Sequence, residues 1–116
     1  MNNQPNGLRL IITIVERKQG KKVVKLFEKL GCKSHQTFLG KGTAPVEVFE
    51  LLGFGGVDKD VVVSIADVEL TPKLFNALEN QMNFNEPGHG VAVSIEVCSI
   101  GGSRALEEIF GIFVKE

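Results

Sequence analysis

From Leu8 to Glu16 the chain sets Leu10, Ile12 and Ile14 on one side of an extended backbone and Ile11, Thr13 and Val15 on the other. A period of two with apolar residues on both faces predicts a strand covered on at least one side. After Gly20 the period changes. Over Lys21 to Leu30 the apolar residues Val23, Val24, Phe27 and Leu30 recur at i, i+1, i+4 and i+7, while Lys21, Lys22, Lys25, Glu28 and Lys29 fill the opposite side. This predicts a helix, ended by Gly31 at the C′ position. Ser34 to Leu39 reads as a second strand ending at Gly40, and Asp60 to Ala66, with Val61, Val62, Val63 and Ile65, as a β-branched third. Thr71 followed by Pro72 marks a second helix start, with Leu74, Phe75, Leu78 and Met82 as its buried stripe. Val91 to Val97 alternates Val91, Val93, Ile95 and Val97 against Ala92, Ser94 and Glu96, a fourth strand.

Strand, helix, strand, strand, helix, strand is the split β-α-β arrangement. It gives an α+β, ferredoxin-like βαββαβ fold, a four-stranded antiparallel sheet with two helices on one face. Because the strands are apolar on both sides, the uncovered face is expected to meet other copies in a symmetric homo-oligomer. The whole chain, 1–116, reads as one domain with a flexible N-terminus over 1–7 and a long loop over 40–59. A C-terminal element over 103–116 carries Leu106, Ile109, Phe110, Ile112, Phe113 and Val114, and is expected to pack on its own or a neighbouring subunit. The 40–59 connection is about two to four times the usual hairpin length, which marks it as a candidate functional loop.

Composition narrows the function classes. The 116 residues carry 13 Lys plus Arg against 14 Asp plus Glu, a net charge of −1, so nothing pulls the whole molecule onto nucleic acid or anionic lipid. RNA-recognition modules share the element order but stack bases on strand aromatics; here the third strand has none and the chain lacks Tyr and Trp. Met1 to Gly7 lacks the basic region of a secretory signal, and the apolar run Leu10 to Val15 is too short to span a bilayer. A soluble cytoplasmic protein is expected, with Cys32 and Cys98 kept as thiols.

Two glycine-rich segments are the candidate anion sites: Gly40-Lys41-Gly42-Thr43-Ala44 after strand two, and Pro87-Gly88-His89-Gly90 before strand four. Glycine lets backbone N–H groups approach an anion closely, although glycine is also the ordinary turn residue. Neither segment has phosphate-loop or dinucleotide-fold spacing. Cys32 and His35 form a C-x-x-H pair without the second pair that a zinc site needs within one chain. No acid, base and nucleophile set emerges, so the expectation is a binding protein rather than an enzyme.

These loops on this fold resemble the PII signal-transduction proteins, trimeric nitrogen regulators with a long loop, the T-loop, after strand two. The resemblance covers most of residues 8 to 104. It rests on Gly40-Lys41-Gly42 at the loop base, on Asp58-Lys59 leading into strand three, and on Gly88-His89-Gly90, which is similar to the family's Gly-Asp-Gly turn. It implies a homotrimer that binds an adenine nucleotide, AMP, ADP or ATP, at clefts between subunits. The implied effector residues are Gly40, Lys41, Gly42, Thr43 and Lys59 on one side, and Gly88, His89, Gly90 and Arg104 on the other. The loop then reports the bound state to a partner protein, a transporter, enzyme or regulator, through Val46, Val48, Phe49, Leu51 and Phe54.

The departures from the family pattern are equally specific. Thr43-Ala44 stands where the family has Arg-Gln, so the glutamine that helps hold magnesium and 2-oxoglutarate is missing. Val91 replaces a lysine for the nucleotide phosphates, removing a charge-assisted contact of about 1.5 to 3 kcal/mol. Arg104 matches one of two family arginines, and Gly102 stands at the other; the loop has no tyrosine to modify. Two other readings fit the residues: a structural or interaction trimer in which the glycines are only turns, and a metal-handling trimer of similar fold using Cys32, His35 or His89.

Overall fold

The structure, a computed structural model, describes residues 7–41, 58–102 and 104. The expectations for residues 1–6, for Gly42, Thr43, Val46, Val48, Phe49, Leu51 and Phe54, and for 103–116 apart from Arg104 lie outside the described residues. The Gly7 carbonyl accepts the Val68 N–H at 2.6 Å.

Six elements follow in the expected order: β1 Leu8–Glu16, α1 Gly20–Lys29, β2 Ser34–Lys41, β3 Asp58–Asp67, α2 Thr71–Met82 and β4 Val91–Glu96. The sheet runs β2-β3-β1-β4 with every neighbouring pair antiparallel. Ile11, Thr13 and Val15 of β1 lie opposite Ser64, Val62 and Asp60 of β3, and all six are buried on the side of the helices. Over them pack Val23, Leu26 and Phe27 of α1 and Leu74, Ala77 and Leu78 of α2. At about 25 cal/mol per Å² of apolar area removed from water, this single layer is the main source of stability.

Differences from the sequence reading lie at element ends and on both helix faces: in α2 Ala77 joins Leu74 and Leu78 in the core, while Phe75 and Met82 are half-buried. Leu26 joins the α1 core stripe, whereas Val24 and Leu30 sit half-buried at its margin. α1 stops where expected: Gly31, at φ +104°, turns back so that its N–H donates to the Glu28 carbonyl and the Cys32 N–H to that of Phe27. That pair of bonds is the Schellman closure of a helix. β2 and β3 each run two residues further toward the long loop. Gly40 pairs with Lys59 and Lys41 with Asp58, so the two ends of the expected 40–59 loop are paired strand.

The opposite sheet face carries Leu10, Ile12 and Ile14, flanked by Val61 and Val63, by Val91, Val93 and Ile95, and by Phe38. Val93, Ile95 and Phe38 are 45%, 47% and 54% exposed. An apolar face this continuous is the feature expected of a surface that meets another copy. No helix among the described residues is long and apolar enough to cross a membrane.

Candidate functional site

The antiparallel order brings the end of β1, the end of β2, the start of β3 and the start of β4 to one end of the sheet. There Gly40, Lys59 and Glu16 lie abreast on neighbouring strands. β4 begins at Val91, opposite Ile14, so the Gly88–His89–Gly90 segment lies just beyond the sheet at this same end. Lys59 is buried, 4% exposed, which sequence reasoning did not anticipate for a lysine at a loop base.

Gly40 sits in strand, and a Cβ there would come within 3.1 Å of Val61 Cγ2, so close packing against β3 also favours glycine at this position. The second segment is a true turn. Gly88 and Gly90 hold φ of +91° and +144°, a region that L side chains rarely adopt. The His89 N–H donates to the Glu86 carbonyl at 3.4 Å, and its ring Nε2 lies 3.4 Å from the Glu86 carboxylate.

Between this turn and the helices lies a cavity of about 380 Å³, lined by Glu16, Gln19, Lys22, Asn83, Gly88 and His89 among others. Gln19, Lys22 and Asn83 were missed from sequence. Their signal was topological: α1 starts, and α2 ends, at the same end of the sheet. Among the described residues, Gly40 and Lys41 of the first glycine segment do not line this cavity. Three strand spacings, about 14 Å, separate β2 from β4. Arg104 is exposed, and no described contact joins it to either segment.

A charged knot supports the loop base. Asp60 faces the helices, and its Oδ2 accepts the N–H groups of Lys18 at 2.8 Å and Gly20 at 3.0 Å. Arg17 reaches Asp60 at 3.4 Å and Asp58 at 3.8 Å. The α1 start, which has no side-chain cap from Gln19, is thus capped from β3.

Cys32 and His35 do not converge. The thiol faces the Ile65 carbonyl at 3.7 Å, whereas His35 Nε2 lies 3.5 Å from Glu28. Among the described residues no three His, Cys, Asp or Glu side chains gather as metal ligands. Burial pushes the Cys32 thiol up from its ordinary value, against a lowering by the Ser34 backbone. The reactive thiolate is therefore scarce at neutral pH. Cys32 is expected to escape alkylation in the folded protein and to be labelled in denaturant, read by peptide mass; labelling at equal rates in both states would contradict this burial.

No family model and no curated protein matches the sequence. Solved structures do match. A Thermus thermophilus protein described as PII-like signalling aligns with TM-score 0.62 and 19% identity, over 90% of this chain and 98% of that one. A PII-like protein of Thiomonas intermedia, bound to ADP, AMP and acetate, aligns with TM-score 0.61 and 15% identity, over 89% and 93%. Arabidopsis thaliana PII bound to citrate aligns with TM-score 0.59 and 16% identity, over 79% and 78%.

Proposed function

Because the chain has the ferredoxin-like fold of the PII-like proteins, we propose that it is a signalling regulator rather than a catalyst. It assembles as a homotrimer through the apolar sheet face and binds an adenine nucleotide at clefts between subunits. The carrying observation is the register. Gly40, Lys41 and Lys59 form one flank of the sheet end, and Gly88, His89 and Gly90 form the other. Each flank is incomplete within a chain, and a neighbouring copy packed on the apolar face supplies the opposing wall. That a protein of the same fold binds ADP and AMP supports this ligand class.

With Val91 in place of a phosphate-binding lysine, the mono- and diphosphate are favoured over the triphosphate. Ligand at the cleft alters the loop that leaves β2 at Lys41 and returns at Asp58. That loop presents Val46, Val48, Phe49, Leu51 and Phe54 to a cytoplasmic partner protein.

Thermal unfolding with AMP, ADP and ATP tests the reading. A bound nucleotide at a hundred times its Kd adds about 2.7 kcal/mol of stability. His89→Ala, an exposed change, is expected to weaken binding without lowering the ligand-free Tm. Absence of any shift with all three nucleotides would leave a structural trimer as the better reading, and sedimentation checks the assembly directly.

A further inference from the structure

A second surface adjoins that sheet end on the outer, helix-covered side of β2. β2 is the outermost strand on its side of the sheet, and an edge strand turns every second N–H and C=O outward, ready to pair. Two neighbouring residues on it are large, apolar and exposed on opposite faces: Phe38, 54% exposed beside Val61, and Leu39, 73% exposed beside Asp60 on the helix side. A copy packed on the open sheet face covers Phe38 and leaves Leu39 bare. Only a chain seated beside the edge covers both.

Next to Leu39 a groove of about 740 Å³ runs between β2 and α1. Val24, Thr37 and Leu39 line it, together with the cations Lys18, Lys21 and Lys25. Its two acids are already engaged, Glu28 with His35 at 3.5 Å and Asp60 with Arg17 at 3.4 Å. The three lysines have no anionic partner among the described residues. In a chain of net charge −1, this is a local row of positive charge above apolar surface.

We infer that this groove binds an extended acidic peptide segment of another protein, added as a strand to the outer edge of β2. Its alternate carboxylates face Lys18, Lys21 and Lys25. The spacings agree: Lys21 and Lys25 are four helical residues apart, about 6 Å along the axis, and alternate residues of a strand are about 6.8 Å apart. Glutamate suits the site because its methylene stem lies on Val24 and Leu39 while its carboxylate reaches an ammonium group. A compact anion such as phosphate fits poorly, because the lysines are strung along the groove rather than aimed at one point. Strand addition supplies affinity through the backbone and specificity through every second side chain.

The test is fluorescence anisotropy of a labelled six-residue peptide alternating valine and glutamate, titrated with the full chain. Saturable binding is expected, weakened about tenfold or more by Lys21→Glu with Lys25→Glu, and weakened by salt. Methylating alternate amide nitrogens of the peptide should abolish it. Both lysines are exposed and glutamate is a good helix former, so circular dichroism and Tm should be unchanged in the double variant. Three results would overturn the inference: equal binding of a valine–lysine peptide, unchanged affinity in the double variant, or no binding below 1 mM of chain, about the weakest affinity such an addition needs. A changed assembly mass in the double variant would also do so, because a second copy then holds the edge. Adenine nucleotide affinity, measured alongside, is expected to stay constant; its loss in the double variant would assign the groove to the effector site instead.

Discussion

Gly90→Ala is expected to destabilise the protein by about 4 kcal/mol, the sum of two costs that arise at one atom. The first is backbone conformation. At φ +144° an L residue sets its Cβ against its own carbonyl neighbours, a strain of about 1 to 3 kcal/mol. The second is a collision. The added Cβ would stand 2.5 Å from Phe84 Cζ and 2.8 Å from Cε1, inside any real carbon contact. Phe84 cannot swing away freely. It follows Asn83, which ends α2 in the left-handed region, and its ring packs against the core beneath α2. Overpacking of this kind adds about 1 to 3 kcal/mol.

The two costs separate experimentally. Phe84→Leu combined with Gly90→Ala relieves the collision but not the strain, so the double variant should recover part of the loss relative to the sum of the singles. Chemical denaturation of the four proteins measures this. A single-variant loss under about 1 kcal/mol, the low end of the backbone cost alone, would mean that the turn before β4 does not hold this conformation, and with it the geometry assigned to Gly88 and His89 would fall.

What the sequence made legible was local. Alternation in β1 and β4, the Thr71-Pro72 start of α2 and the Gly31 stop of α1 each depend on residues within one turn or strand, and each lies where the pattern placed it within a residue or two. Two things were hidden for a physical reason. Glycine, lysine and aspartate are poor strand formers, so Gly40-Lys41 and Asp58-Lys59 read as loop, yet each pairs with the other across the ladder. Cross-strand partners about 20 residues apart overrode local propensity. In the candidate site, the Gly88–Gly90 turn was visible because its glycines serve backbone conformation. Gln19, Lys22 and Asn83 were not, because only the topology brings the start of α1 and the end of α2 beside that turn.

The least legible contact is also among the most consequential. Asp60→Ala should cost about 3 kcal/mol, because one carboxylate satisfies groups that no neighbouring residue can serve. Asp60 is 5% exposed and accepts the Lys18 and Gly20 N–H groups, which lie 42 and 40 residues before it. Its removal orphans the buried Gly20 donor, which costs about 1 to 3 kcal/mol when left unpaired, and the part-buried Lys18 donor, which costs less. Arg17 keeps a second carboxylate, Asp58 at 3.8 Å, when Asp60 is removed. Asp60→Asn keeps one acceptor oxygen and should lose about half as much. Gly20 belongs to the same joint: a Cβ on it would sit 2.9 Å from Asp60 Oδ2 and 3.0 Å from its Cβ, so Gly20→Ala should act in the same direction. Combining Gly20→Ala with Asp60→Ala removes the obstacle, and the pair should fall well short of additivity. Denaturant midpoints of the three variants decide it. Strict additivity would show that the carboxylate does not cap α1. Because this joint ties the start of α1 to the strand that leads out of the long loop, its loss should also lower nucleotide affinity, which unchanged binding by Asp60→Asn at full folding would contradict.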